Sequence, residues 1–72
     1  MARYRYTGAL PLEEHIATEI RERSSGAIEL PTDKGTLRFS VMRYEGDVVS
    51  GKTLEDKLVT IHIRRPDNIT VT

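Results

Sequence analysis

From Thr36 to Tyr44 the chain alternates, with Leu37, Phe39 and Val41 on one side and Arg38, Ser40 and Met42 on the other. A period of two is the signature of a strand with one face buried and one face wet. Leu58 to Arg64 repeats the pattern, with Val59, Ile61 and Ile63 set against Thr60, His62 and Arg64. Arg3-Tyr4-Arg5-Tyr6-Thr7 alternates charge with aromatic. Alternation, rather than continuous apolar strands, predicts a mostly antiparallel sheet with one open face.

One segment has a different period. Leu12, Ile16 and Ile20 recur four apart with Ala17 beside them, a narrow apolar stripe suited to lying on a sheet. Pro11 suits the first helical position, and Glu13 and Glu14 fall where the dipole favours acid. Arg21 and Arg23 occupy the favourable end for cations, and Glu19 can pair with Arg23 one turn on. Ser24-Ser25-Gly26 is read as the stop, with Gly26 in the left-handed cap conformation. Ala27 to Leu30 forms a short strand, Pro31 to Gly35 a turn, and the two strands either side a hairpin. Ile69 to Thr72 pairs back after the Pro66-Asp67-Asn68 turn. The predicted architecture is α+β: one amphipathic helix packed on a small, mostly antiparallel sheet of four or five strands, a two-layer sandwich within a single domain spanning 1–72. The expected core is Tyr4, Tyr6, Leu12, Ile16, Ile20, Ile28 or Leu30, Leu37, Phe39, Val41, Val59, Ile61, Ile63 and Val71.

Gly46-Asp47-Val48-Val49-Ser50-Gly51-Lys52-Thr53 fits the phosphate-loop pattern G-x-x-x-x-G-K-[ST] at every specified position. That loop works through backbone amides and the positive end of a following helix, after a buried parallel strand. Here only Thr53 to Leu58 separates the motif from the next β-branched run, too short for a helix that covers a parallel sheet. No apolar strand ending in Asp follows to hold magnesium. Glu45-Gly46-Asp47 reads as a further turn, after which Val48-Val49 can begin a short return strand. Taken whole, Gly46 to Thr53 is expected as a polar loop at one end of the sheet, either a plain solvated connector or a mobile binding loop with Asp47 and Lys52 as contact residues.

Composition narrows the function. There are 72 residues and no Cys, so neither disulfide nor thiolate–metal site can reinforce a small core. Such a chain often gains stability from a partner, and a homodimer or attachment to something larger is expected. Lys and Arg total 11, Asp and Glu total 11, and the net charge is zero, so a general nucleic-acid footprint is missing. His15 and His62 share no ligand spacing, Ser24, Ser25, Ser40 and Ser50 show no nucleophile-elbow pattern, and the adjacent acids Glu13-Glu14 and Glu55-Asp56 point apart. No enzymatic activity, metal or cofactor is expected. No apolar run approaches a membrane span and no secretory leader is visible, so the expectation is a cytoplasmic protein without a membrane partner. Asn68-Ile69-Thr70 matches a glycosylation acceptor but is accounted for as part of a turn.

The open face is the remaining lead. If the strands align, Arg3, Arg5, Arg38, His62 and Arg64 project from one side, with Ser40 and Thr60 among them and Lys34 and Arg65 at the rim. An exposed face ordinarily carries such residues, with arginines paired to Glu29 and other acids across strands. As a binding surface it would meet phosphates or an acidic protein. The first functional expectation is therefore a small non-enzymatic binding protein, a regulator or inhibitor docking on a larger protein target through the basic face, a sheet edge or the 46–53 loop. The alternatives are a nucleic-acid-binding protein using the basic face, and a structural subunit of an assembly such as a virion or tail component, where edge pairing builds rings or tubes.

Overall fold

A computed structural model describes residues 1–23 and 26–72. The elements run β1 (Ala2–Tyr4), α1 (Leu12–Glu22), β2 (Ile28–Thr32), β3 (Gly35–Glu45), β4 (Val48–Lys52), β5 (Leu58–His62) and β6 (Ile69–Val71). The six strands form one sheet in the order β1-β6-β5-β4-β3-β2, every neighbouring pair antiparallel. The α+β class and the helix are as the sequence predicts, but the sheet has six strands rather than four or five, and it curls.

The curl brings the first and last strands of that order together. Just past β1, Tyr6 bridges to Thr32 at the end of β2. Around the bridge Thr7 N–H donates to the Pro31 carbonyl at 3.0 Å and Asp33 N–H to the Arg5 carbonyl at 2.9 Å. Arg5 N–H completes the tie to the Asp33 carboxylate at 2.8 Å. A half-barrel results, and its concave side holds the core: Leu12 and Ile16 from α1, Ile28 and Leu30 from β2, Leu37, Phe39, Val49, Val59, Ile61, Ile63, Ile69 and Val71. Tyr4, Tyr6, Ile20 and Val41 pack at its margin. Ile28 and Leu30 are both buried, since residues two apart share a strand face.

The clearest departure is at 46–53. Gly46 and Asp47 are the two central residues of a tight hairpin between β3 and β4, and Val48–Lys52 is a strand paired on both sides, not a mobile loop. Gly46 has φ 61 and Asp47 does not have a positive φ, the arrangement of a II′ turn, whose twist suits two flanking strands. After Lys52 the chain turns through Thr53–Lys57 with Asp56 at φ 67, and no helix follows. Gly51 is required by packing. The register of β3 against β4 slips between Val41 and Arg43, a β-bulge. A Cβ on Gly51 would run into the Ser40 carbonyl, and would lie 2.9 Å from the Phe39 ring.

Smaller corrections concern the helix. It begins at Leu12 with Pro11 as its N-cap, and ends with Arg23 N–H on the Glu19 carbonyl at 2.9 Å. Ser24 and Ser25, read as the stop with Gly26, lie outside the described residues. Ala17 is exposed, and the positions turned to β2 are His15 and Glu19. Pro31 falls inside β2, not in a turn. It sits on the outermost strand, where a missing N–H costs no ladder bond.

Gly51→Ala forces the Ser40 backbone or the Phe39 ring to shift and is expected to cost about 1–3 kcal/mol in urea unfolding. Lys52→Ala, which loses only an exposed ion pair to Asp56, should stay within about 0.5 kcal/mol. A pH dependence is expected from the other end of the core. The Tyr6 hydroxyl donates to the Leu10 carbonyl at 2.6 Å, and burial raises its pKa above the usual 10.0. The folded state thus holds this proton more tightly than the unfolded chain. Its contribution is complete below about pH 10 and declines as pH climbs through the folded value. Unfolding free energy should fall across that alkaline range, and Tyr6→Phe should flatten part of the slope.

Candidate functional site

Arg3, Arg5, Arg38, His62 and Arg64 are all exposed, as expected, but they do not form one patch. Arg3 opposes Thr70, which opposes Thr60 on β5. Strands β1 and β5 run in the same direction, so Arg5 and His62 lie two residues further along from Arg3 and Thr60, about 10 Å apart across β6. Arg64 follows past the end of β5, and its Nε donates to Asp47 Oδ2 at 3.0 Å. Arg38 sits elsewhere. Ser40 is level with Lys52 and Leu58, placing Arg38 six residue steps back from His62, about 20 Å along the strand direction. It is held there by Glu29, 3.2 Å from its guanidinium, and Glu29 also receives Arg23 at 3.6 Å. Asp47 and Lys52 lie at opposite ends of β4 rather than in one loop. Lys52 pairs with Asp56 at 3.3 Å.

Among the described residues no group of three or more His, Asp and Glu is arranged to hold a metal, and no buried side-chain nitrogen or oxygen lacks a partner. No helix among them is long and apolar enough to cross a membrane.

A sheet edge is among the docking routes expected from sequence, but sequence reasoning did not say which edge or which residues, and the edges differ. The outer edge of β2 is fully satisfied. Glu29 N–H donates to Glu19 Oε1 at 2.8 Å, and the Glu29 carbonyl meets His15 Nε2 at 3.0 Å. A carbonyl only accepts, so that nitrogen carries the proton. Pro31 has no N–H to satisfy, and its carbonyl takes Thr7. Helix side chains and the segment after β1 together leave this strand nothing to offer.

β3 is different. It is 11 residues long and β2 only five, and the pairing between them stops at Phe39 with Ile28. From Ser40 to Glu45, β3 pairs with β4 alone among the described residues. In a two-residue hairpin the residues flanking the turn form a hydrogen-bonded pair, and such pairs alternate. Glu45 and Arg43 therefore direct their backbone groups to β4, and Tyr44 directs its N–H and C=O to the open side. Met42, 68% exposed, and Tyr44, 43% exposed, stand on this half-strand. Beside it runs a groove of about 380 Å³ lined by Ile20, Ile28, Val41 and Tyr44 together with Arg23, Gly26 and Ser40. Among the described residues outside its chain neighbours, none lies within 4 Å of where a Cβ on Gly26 would sit.

The sequence carried one signal of this site. Strict alternation through Val41 would turn Arg43 inward, which a buried face does not tolerate. The bulge resolves the conflict by returning Arg43 to the side of Ser50 and Tyr44 to the side of buried Val49. Compared with protein-family models, with curated proteins and with solved structures, the chain matches none.

Glu19→Ala tests the closed edge directly. It strips the acceptor from Glu29 N–H and loosens Arg23, 3.2 Å from Glu19. It is expected to destabilise the fold by about 1–3 kcal/mol in chemical denaturation and to speed amide exchange at Glu29 more than at Leu37 or Val59.

Proposed function

We propose that this chain is a small, non-enzymatic protein-binding module that docks on a partner through the outer edge of β3 from Met42 to Glu45. The observation that carries the reading is the contrast between the two edges. The β2 edge is occupied by Glu19, His15 and the Arg5–Thr7 segment, while β3 continues for six residues beyond β2, unpaired on that side among the described residues, beside a groove of mixed apolar and polar lining. Exposed edges are ordinarily blunted, and an edge left unpaired beside a groove suits addition of a strand. Main-chain hydrogen bonds then supply affinity, and the groove supplies side-chain selection. A role as regulator or inhibitor is compatible with a contact of this kind.

The outer-face cations support a nucleic-acid contact less well. Arg38 stands apart from the others, and both Arg38 and Arg64 are engaged by carboxylates. A phosphate ligand would have to compete with Glu29 and Asp47.

A photo-reactive p-benzoylphenylalanine at position 42 is expected to give one discrete adduct on irradiation of cells producing the chain. The same probe at Thr70, on the outer face, should give none. Tyr44→Asp should abolish the adduct from position 42 while leaving the circular dichroism spectrum unchanged. Adducts that form equally from position 70, or that survive Tyr44→Asp, rule out docking at this edge.

A further inference from the structure

Resting on that reading of the β3 edge, we infer that its partner is β3 of a second copy, joined antiparallel about a twofold axis at Tyr44 to make one continuous sheet. Tyr44 is the residue whose backbone N–H and C=O face outward, so two copies of it can exchange both hydrogen bonds as a closed pair. The register then follows from sequence. Arg43 faces Glu45 of the second copy, Glu45 faces its Arg43, and Met42 faces its Gly46.

Charge selects this occupant. Within one chain Arg43 and Glu45 already lie on the same side of the strand, 2.8 Å apart, with side chains 71% and 73% exposed. Across the axis the second copy presents the same two charges in reversed order. Each guanidinium falls between two carboxylates, and each carboxylate between two guanidiniums. Opposite charges directly across an antiparallel pair stabilise it, and like charges destabilise it. A strand of unrelated sequence would need an acid and a base at the same two positions in the same order to match. The chain's net charge of zero removes the long-range repulsion that would otherwise oppose self-association.

Shape agrees. β2 pairs with β3 no further than Ile28, and beside residues 40–45 lies the groove whose lining includes Ile20, Ile28, Val41 and Tyr44. The incoming strand takes that groove, and the second copy's Tyr44 ring lies beside the first at its apolar margin. The bulge at 41–43 limits regular pairing to the Met42–Gly46 stretch, so the contact is short and belongs with transient interfaces. The same patch serves both copies. The interface therefore closes at two and does not propagate into tubes or rings.

The test uses the full chain and two single charge reversals, Arg43→Glu and Glu45→Arg. Sedimentation equilibrium from about 1 µM to about 1 mM should show the parent in monomer–dimer exchange. Either variant alone places like charges across the axis and should weaken self-association at least tenfold. In an equimolar mixture, one chain carries acids at both positions and the other carries bases at both. Every cross-axis pair is then opposite in sign, and dimers should recover to parental strength or better. The double variant R43E/E45R, alone, should also recover them. Circular dichroism of each variant establishes that it folds. A parent that stays monomeric throughout, or a mixture no tighter than its components, overturns the inference. Amide exchange of Tyr44 in dilute parent then separates the two readings. Fast exchange leaves the edge open and overturns self-pairing alone, whereas strong protection in a monomer means the edge is covered by its own chain, and docking there falls with it.

Discussion

The structure depends on how the outer edge of one short strand is satisfied. β2 is the last strand of the sheet, and without a partner it would present unpaired amides along its length. Three parts of the chain close it. Glu19 and His15 take the N–H and carbonyl of Glu29, the ring of Pro31 removes a donor, and the segment after β1 binds at Pro31 and Asp33. That last contact bends the sheet into a half-barrel, because β1 is bonded to β6 on its other side. The two helix contacts fix α1 over the concave face, where Leu12 and Ile16 complete the core. Curl, helix placement and core thus share one cause. A chain of 72 residues with no cross-link has little other means of holding a six-stranded sheet in one shape.

The bulge in β3 is the second constraint and acts on the first. It lets an 11-residue strand carry polar Arg43 outside and Tyr44 inside after a stretch in the opposite phase. It bends the strand and brings the Ser40 carbonyl so close to β4 that only glycine fits at position 51. The Gly-Lys-Thr sequence at 51–53, which reads as nucleotide chemistry in isolation, therefore has a full account in sheet packing. Gly46 is explained by the II′ turn, Gly51 by the bulge opposite, and Lys52 is an exposed strand-end residue paired with Asp56.

What could be read from sequence, and what could not, divides along the range of the interactions. The helix from Leu12, the long alternating strand and most of the core were legible because they rest on periodicity within ten or so residues. Val49 and Ile69 were missed as core residues. β4 contains Ser50, Gly51 and Lys52, which resemble a loop by composition and become a strand only because β3 and β5 flank them. The five basic residues were placed on the wet side correctly, but their grouping required strand order. Phase alone does not say that Arg38 lies across β4 from His62 and far along the strand. The edges were least legible of all. Nothing local in Glu19, His15 or Pro31 says that they meet on β2, and the half of β3 that is unpaired on one side among the described residues exists because β2 stops six residues short.

That open half carries its own restriction. Charged residues on an edge normally prevent pairing, because an incoming strand rarely offers compensating charges. Arg43 and Glu45 act this way toward most sequences. Two residues apart, opposite in sign and on one face, they also define a pattern that is its own complement when reversed about Tyr44. Parallel pairing in register would set Arg43 against Arg43 and Glu45 against Glu45. Antiparallel pairing displaced by two residues would leave at least one charge unmatched or opposed by its like. One antiparallel register remains in which every charge is matched, and the bulge ends it before it lengthens into an aggregating edge. The same two side chains that exclude most strands thus leave a single admissible geometry, a compact way for a small sheet to keep an edge available without making it promiscuous.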